Sequence, residues 1–157
     1  TIAWLESSID PTGEAKNIGR AVSLKVDDRI RALLLVPDNQ LATSKARKLL
    51  PETISHQDAV LNSSRSALLV HALAERPDLL FTATGDLLHQ KYREPAMPKT
   101  IALVEKLRGA GLAAVVSGAG PSVMVLYAGS EDEIDQVASL APGFTAMKLA
   151  VAKAGVQ

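Results

Sequence analysis

The stretch from Ser117 to Ser122 is the clearest candidate for chemistry in this sequence. It places six small residues, Ser-Gly-Ala-Gly-Pro-Ser, between two apolar runs typical of β-strands. A plain hairpin needs only two turn residues. Gly118 and Gly120 can adopt positive φ angles and let a ligand approach the backbone closely. The stretch is therefore either a long structural turn or an anion-binding turn whose backbone N–H groups stay free.

Two arginines, Arg47 and Arg93, are candidates for binding a carboxylate. A guanidinium group can hold a carboxylate through two parallel hydrogen bonds, which suits an amino-acid substrate. Arg47 lies in a predicted short helix, and Thr43 stands where it could cap that helix. By residue type alone, each arginine is more often a solvated surface residue.

The three histidines do not have the spacing of a zinc site. His56 falls at the start of a predicted long helix and His71 in its middle. His89 precedes Arg93 by four residues, so the two would share a helix face. We therefore retain His89 as a candidate that supports the substrate surface, and we assign no metal ligand.

Composition limits the class of protein. The 157 residues include 17 basic and 17 acidic side chains and no cysteine. A nucleic-acid or membrane-surface role would need a basic face, so neither partner is expected. Without cysteine there is no disulfide or thiolate chemistry, which fits a cytoplasmic protein. No apolar run approaches the roughly 20 residues of a membrane span.

The elements that must position these residues follow from apolar periodicity. Strands are predicted at 1–7, 21–26, 29–37 (buried on both faces), 113–117, 123–128 and 144–151, with a loop over 8–17. Helices are predicted at 44–50, 56–75, 98–109 and 130–140, with two short ones within 77–93. After residue 28 the order is strand, several helices, two strands, helix, strand. This order predicts an α+β fold, a ferredoxin-like split βαβ with extra helices in the first crossover.

The glycine-rich stretch also resembles a known family. "VSGAGPSV" at 116–123 is similar to the third conserved motif of the GHMP kinase superfamily of small-molecule kinases. The stretches "ATSKARKLLP" at 42–51 and "DLLHQKYR" at 86–93 resemble the homoserine kinase family in particular. They occur in that family's order, and the resemblance runs from about residue 1 to the last strand.

The resemblance implies transfer of the ATP γ-phosphoryl to the hydroxyl of L-homoserine, giving O-phospho-L-homoserine for threonine biosynthesis. Arg47 and Arg93 match positions that hold the substrate α-carboxylate, and Thr43 and His89 would lie beside them. The glycine motif would lie at the phosphate-transfer centre. The residues carried over to that role are Gly118, Ala119, Gly120, Pro121 and Ser122.

Part of the family's pattern is missing from this sequence. The glycine- and serine-rich loop that cradles the triphosphate is not found, nor are the acidic residues tied to the substrate hydroxyl and to magnesium. We therefore expect a C-terminal half that is inactive alone and has no catalytic residue of its own. Residues 1–28 would remain from an upstream N-terminal domain, and 29–157 would form the GHMP C-terminal domain. ATP and Mg²⁺ would serve only the complete enzyme.

Two other interpretations stay open. The chain could come from another GHMP kinase with an acidic substrate, such as mevalonate. It could also be a non-catalytic ferredoxin-like module that binds an amino acid or another subunit. A separated half exposes apolar surface that its partner would cover. The N-terminal half of the same enzyme is therefore the expected partner, with a homodimer as the alternative.

Overall fold

The computed structural model describes residues 2–10, 12–39 and 41–152. The strands are β1 (Ile2–Ile9), β2 (Ala15–Val22), β3 (Arg31–Pro37), β4 (Ala113–Val116), β5 (Val123–Tyr127) and β6 (Phe144–Ala150). The α-helices are α1 (Thr43–Lys48), α2 (His56–Ala74), α3 (Leu80–Ala83), α4 (Gln90–Arg93), α5 (Pro98–Gly109) and α6 (Glu131–Ser139). Two 3₁₀ turns, at Pro77–Leu79 and Glu94–Ala96, lead into α3 and follow α4.

The larger sheet has four strands in the order β4–β5–β3–β6, and every neighbouring pair is antiparallel. The helices α1 to α5 lie in the connection between β3 and β4, and α6 connects β5 to β6. This is the strand order of a ferredoxin-like split βαβ unit with an enlarged first crossover. The predicted fold class is confirmed.

The main core lies between one face of this sheet and the helices α5 and α6. Leu33 and Leu35 of β3 are fully buried there, while their neighbours along the strand are only partly buried. The expectation that β3 is buried on both faces is therefore wrong. The opposite face is partly open because Met147 and Leu149 of the adjacent β6 stay exposed.

β1 and β2 form a separate two-stranded sheet, with Ile2 opposite Val22. The loop expected over 8–17 is much shorter, because β1 continues to Ile9 and β2 begins at Ala15. Only the first two residues of the strand expected over 21–26 belong to β2. The Asp10 carboxylate explains the tight turn, because it accepts the backbone N–H groups of Thr12 and Glu14. The division of the chain at residue 28 stays a prediction.

Two helix starts show how local sequence defines these elements. The Ser55 hydroxyl accepts the Asp58 N–H at the start of α2. At α6, Ser130 and Glu133 form a reciprocal capping box, in which each side chain accepts the other's backbone N–H. Within the described ranges, no helix has the length and apolarity needed to cross a membrane.

Candidate functional site

Three of the residues predicted for the site, His89, Arg93 and Gly118, line a cavity of about 260 Å³. The cavity lies between the start of α4 and the loop that connects β4 to β5. Its lining residues are Asp86, His89, Gln90, Arg93, Val115, Val116 and Gly118. A larger cavity of about 510 Å³ lies beside Lys99, Lys106 and Phe144 and contains none of the predicted residues. We place the candidate site at the smaller cavity because predicted site residues line it and none lines the larger one.

Arg93 is a buried arginine rather than a surface one. It is only 8% exposed, and its Nη1 donates a hydrogen bond of 2.9 Å to the carbonyl oxygen of Gly118. Its Nε is buried and has no hydrogen-bond partner in the described part of the chain. A buried polar group without a partner costs about 1–3 kcal/mol. Such a cost is typical of a functional position rather than of a stabilising one.

His89 lies at the same cavity as Arg93, but not for the reason expected. α4 begins only at Gln90, so His89 precedes the helix and the two do not share a helix face. The Asp86 carboxylate determines this local geometry. It accepts the backbone N–H of His89 at 2.9 Å and of Gln90 at 2.6 Å, and it lies 2.9 Å from His89 Nδ1.

The same contacts set the charge state of Asp86. Partial burial by itself raises the pKa of this carboxyl group. The hydrogen bonds from the backbone of Gln90 and from His89 more than offset that effect, so the pKa lies below the ordinary aspartate value. At neutral pH Asp86 is therefore negatively charged, and its carboxylate holds the backbone of residues 86–90 through these hydrogen bonds.

Two side-chain hydrogen bonds connect residues 86–90 to the neighbouring elements β4 and α2. The Gln90 side-chain oxygen accepts the backbone N–H of Val116 at 2.7 Å, at the end of β4. The Asn62 side-chain oxygen accepts the N–H of Leu87 at 3.1 Å, which ties the segment to α2.

The glycine-rich loop has a defined shape. Ser117 N–H donates to Ser122 O at 2.8 Å, and Gly120 N–H donates to Ser117 O at 3.0 Å. Gly118 and Gly120 have φ angles of +59° and +87°, a region that favours glycine. The Thr100 hydroxyl donates to Pro121 O at 2.7 Å. The loop is thus held both by its own bonds and by α5.

This shape leaves part of the loop backbone free for a ligand. Among the described residues, the N–H groups of Gly118, Ala119 and Ser122 have no acceptor. Neighbouring free N–H groups at a turn form a site that attracts an anion. The loop carbonyls of Gly118 and Pro121, in contrast, are occupied by Arg93 and Thr100. The loop therefore offers backbone donors to an anion, and its carbonyls are engaged on the protein side.

Arg47 and Thr43 lie on α1, outside the lining of the Arg93 cavity. Arg47 is exposed, and its guanidinium has no hydrogen bond or ion pair with the described residues. The capping role expected for Thr43 is wrong. Ala42 occupies the cap position in an extended conformation, no side chain caps the helix, and Thr43 is its first residue. A carboxylate clamp formed by Arg47 and Arg93 together stays a prediction.

Sequence reasoning missed three residues that organise the site: Asp86, Gln90 and Thr100. Asp86 comes directly after a glycine and before a short helix, where an aspartate side chain commonly accepts backbone N–H groups. Thr100 interrupts an otherwise apolar buried face of α5 and is only 2% exposed. A polar residue at a core position indicates a specific hydrogen bond. Gln90 carries no comparable signal in the sequence.

The ligand groups that the described residues offer at the loop are backbone N–H donors. No group of three or more His, Asp or Glu side chains among them could hold a metal ion. The free loop N–H groups can contact one phosphate, but the chain shows no glycine- and serine-rich loop that opens a helix and cradles a triphosphate.

Comparison with known proteins identifies the family to which part of the chain belongs. Residues 64–140 match the family model "GHMP kinases C terminal", a range that includes α4, α5 and the glycine-rich loop. These residues belong to the GHMP kinase C-terminal family.

Similar proteins extend the match on both sides of that range. The chain is 47% identical over 141 residues to a protein named homoserine kinase from Streptomyces coelicolor, covering 90% of this chain and 42% of the relative. It is 53% identical over 117 residues to one from Rhodococcus opacus, covering 74% of this chain and 37% of the relative. The chain thus spans about two fifths of the length of these relatives.

A solved structure shares the fold. The crystal structure of homoserine kinase from Cytophaga hutchinsonii aligns with a TM-score of 0.76 and 21% identity. The alignment covers 86% of this chain and 45% of that protein.

Proposed function

We propose that this chain is the C-terminal portion of a homoserine kinase, which transfers the ATP γ-phosphoryl to the hydroxyl of L-homoserine. The observation that carries the proposal is the cavity in which Arg93 meets the glycine-rich loop. Arg93, a cation suited to a carboxylate, and Gly118, whose free N–H group suits a phosphate, line the same cavity. A substrate that carries a carboxylate and receives a phosphoryl group needs both.

In this proposal the arginines bind the substrate's carboxylate. Arg93 uses one nitrogen for Gly118 O, so its remaining N–H groups are available to a ligand in the cavity. Arg47 is exposed and unpaired among the described residues, so it can contribute a second guanidinium from α1. Holding the carboxylate at a set distance from the loop aligns the hydroxyl with the phosphoryl group.

The free N–H groups of Gly118, Ala119 and Ser122 then contact the transferred phosphoryl group. Phosphoryl transfer leaves little covalent work for a protein, so positioning and charge stabilisation supply most of the rate. ATP supplies the phosphoryl group and Mg²⁺ neutralises its charge. We assign the triphosphate cradle and the metal ligands to the part of the relatives' length that lies outside this chain, and we expect the chain to function together with that part in the cytoplasm.

The test is homoserine-dependent ADP release by the longer natural protein that contains these residues, and by this chain alone. We expect turnover only in the longer protein. Mevalonate in place of homoserine tests the other GHMP substrate class. Homoserine binding to this chain, with no turnover in either protein, would favour an amino-acid-binding module instead.

The arginines are tested by substitution in the longer protein. Loss of one charge-assisted hydrogen bond weakens binding by about 1.5–3 kcal/mol, so Arg47→Ala and Arg93→Lys should each raise the KM for homoserine about ten- to a hundredfold. Arg76→Ala is the control, since Arg76 is an exposed arginine that pairs with Asp78 and lies outside the cavity lining. An unchanged KM in both site variants would contradict the clamp.

A further inference from the structure

Thr100 combines burial with a single directed hydrogen bond. It lies in the first turn of α5 and is only 2% exposed. Its neighbours on the buried face of the helix, Ile101, Leu103 and Val104, are apolar members of the main core. The Thr100 hydroxyl donates to Pro121 O at 2.7 Å. Valine would fill the same volume without a polar atom, so the hydroxyl matters at this position through its bond to the loop.

This bond completes a three-point attachment of the loop. Gln90 holds the Val116 N–H before the loop, Arg93 holds Gly118 O within it, and Thr100 holds Pro121 O near its end. The free N–H groups of Gly118, Ala119 and Ser122 lie between or beside these points. Gln90 and Arg93 line the cavity, whereas Thr100 does not. Thr100 can therefore influence a ligand only through the loop.

We propose that Thr100 is a positioning residue, whose buried hydroxyl holds the glycine-rich loop in the shape that presents its free N–H groups to the phosphoryl group. The proposal rests on the proposed kinase function and adds a residue that the site's lining does not reveal. The loop N–H groups contact the phosphoryl group and not the carboxylate. Loss of the Thr100 bond should therefore affect kcat more than the KM for homoserine.

The experiment compares Thr100→Val, Thr100→Ser and the control Thr84→Val in the longer natural protein. Thr84 is also a buried threonine, 7% exposed, at the C-terminal cap of α3. Its hydroxyl donates to Leu80 O at 2.7 Å and accepts from Arg108 Nη1 at 3.1 Å, and neither partner belongs to the loop. Thr100→Val should lower kcat about ten- to a hundredfold with KM changed less than about threefold. Thr100→Ser keeps the hydroxyl and should retain kcat within about threefold.

A purely structural role predicts a different result. In that case Thr84→Val would lower kcat as much as Thr100→Val, and this outcome would overturn the proposal, as would an unchanged kcat in Thr100→Val. If the valine variant does not fold, Thr100→Ala removes the same hydroxyl with a smaller side chain and must show the same loss of kcat.

A second measurement does not depend on kinase activity. Amide hydrogen exchange at Ser117 and Gly120, whose N–H groups bond within the loop, should be faster in Thr100→Val than in the wild-type chain, and normal in Thr100→Ser and Thr84→Val. If the longer protein does not phosphorylate homoserine, the proposed function fails, and this measurement still decides whether Thr100 holds the loop. Equal exchange in all variants would show that it does not.

Discussion

The substitution Gly120→Ala tests whether the glycine-rich loop is as tightly packed as the structure indicates. Gly120 has a φ angle of +87°, and a Cβ atom there would lie 2.6 Å from Met97 Sδ and 2.7 Å from Met97 Cε. Met97 is 2% exposed, so its side chain has little room to move away. Alanine at this position therefore meets two separate costs, one from the backbone and one from the contact.

The size of the effect follows from those two costs. A positive φ angle costs a non-glycine residue about 1–2 kcal/mol, and overpacking of a core costs about 1–3 kcal/mol. Gly120→Ala should thus lower the free energy of unfolding by about 2–5 kcal/mol. Gly118 separates the two costs, because it has a φ angle of +59° and no atom within 4 Å of a Cβ. Gly118→Ala should cost only about 1–2 kcal/mol.

Urea unfolding followed by circular dichroism measures both variants against the wild-type chain. A double-mutant cycle with Met97→Ala isolates the contact between Gly120 and Met97. The double variant should be more stable than the sum of the single losses indicates, by about 1–3 kcal/mol. Equal losses in Gly118→Ala and Gly120→Ala, together with additivity in the cycle, would refute the packing argument.

Two further predictions concern stability. Asp86→Asn should have a lower free energy of unfolding than the wild type at pH 7. As the pH is lowered, the free energy of unfolding should decrease less in Asp86→Asn than in the wild type. The charged form of Asp86 stabilises the fold above the ordinary aspartate pKa of 3.8, and this stabilisation is lost as pH falls through the lower folded pKa; urea unfolding at pH 7 and 3 would show it. Ser55→Ala removes the side-chain cap of α2 and should lower the free energy of unfolding by about 1 kcal/mol, which thermal unfolding measures.

Each of these stability predictions has a control and a contrary outcome. For the first, Asp132→Asn changes an exposed carboxylate, and equal acid profiles in wild type and Asp86→Asn would contradict the account. For the second, Ser63→Ala removes an exposed hydroxyl that bonds Ala59 O within α2, and it should change stability by less than about 0.5 kcal/mol. A Ser55→Ala variant no less stable than Ser63→Ala would show that the cap contributes nothing.

The main elements of this protein follow closely from its sequence because their signals are local. The apolar periodicity and the glycine stops predict α5 and the strands β4 and β5 to within about a residue. Strand order follows from the succession of elements, since few topologies accommodate it. The N-terminal hairpin is less well predicted. Its pairing extends through polar residues, and apolar side chains such as Leu5 and Ile9 stay exposed, so burial patterning carries little information there.

The candidate site, like the fold, could be predicted only in part from the sequence. Residue types alone identify the small-residue loop, because positive φ angles favour glycine. The two arginines are singled out by the resemblance to a family, since by residue type each could equally be a solvated surface residue. The sequence does not reveal that Arg93 is buried against Gly118 O, that Asp86 orders the segment before α4, or that Thr100 holds the loop.

By itself, therefore, the sequence determined the fold class and the position of the glycine-rich loop, and it predicted an anion as one possible ligand of that loop. Only the tertiary structure decided which side chains meet that loop and which of its N–H groups stay free. The physical reason is sequence distance. Arg93 and Gly118 are 25 residues apart, and Thr100 and Pro121 are 21 apart. Such contacts form only when the helices of the crossover pack against the sheet, and no local pattern encodes them.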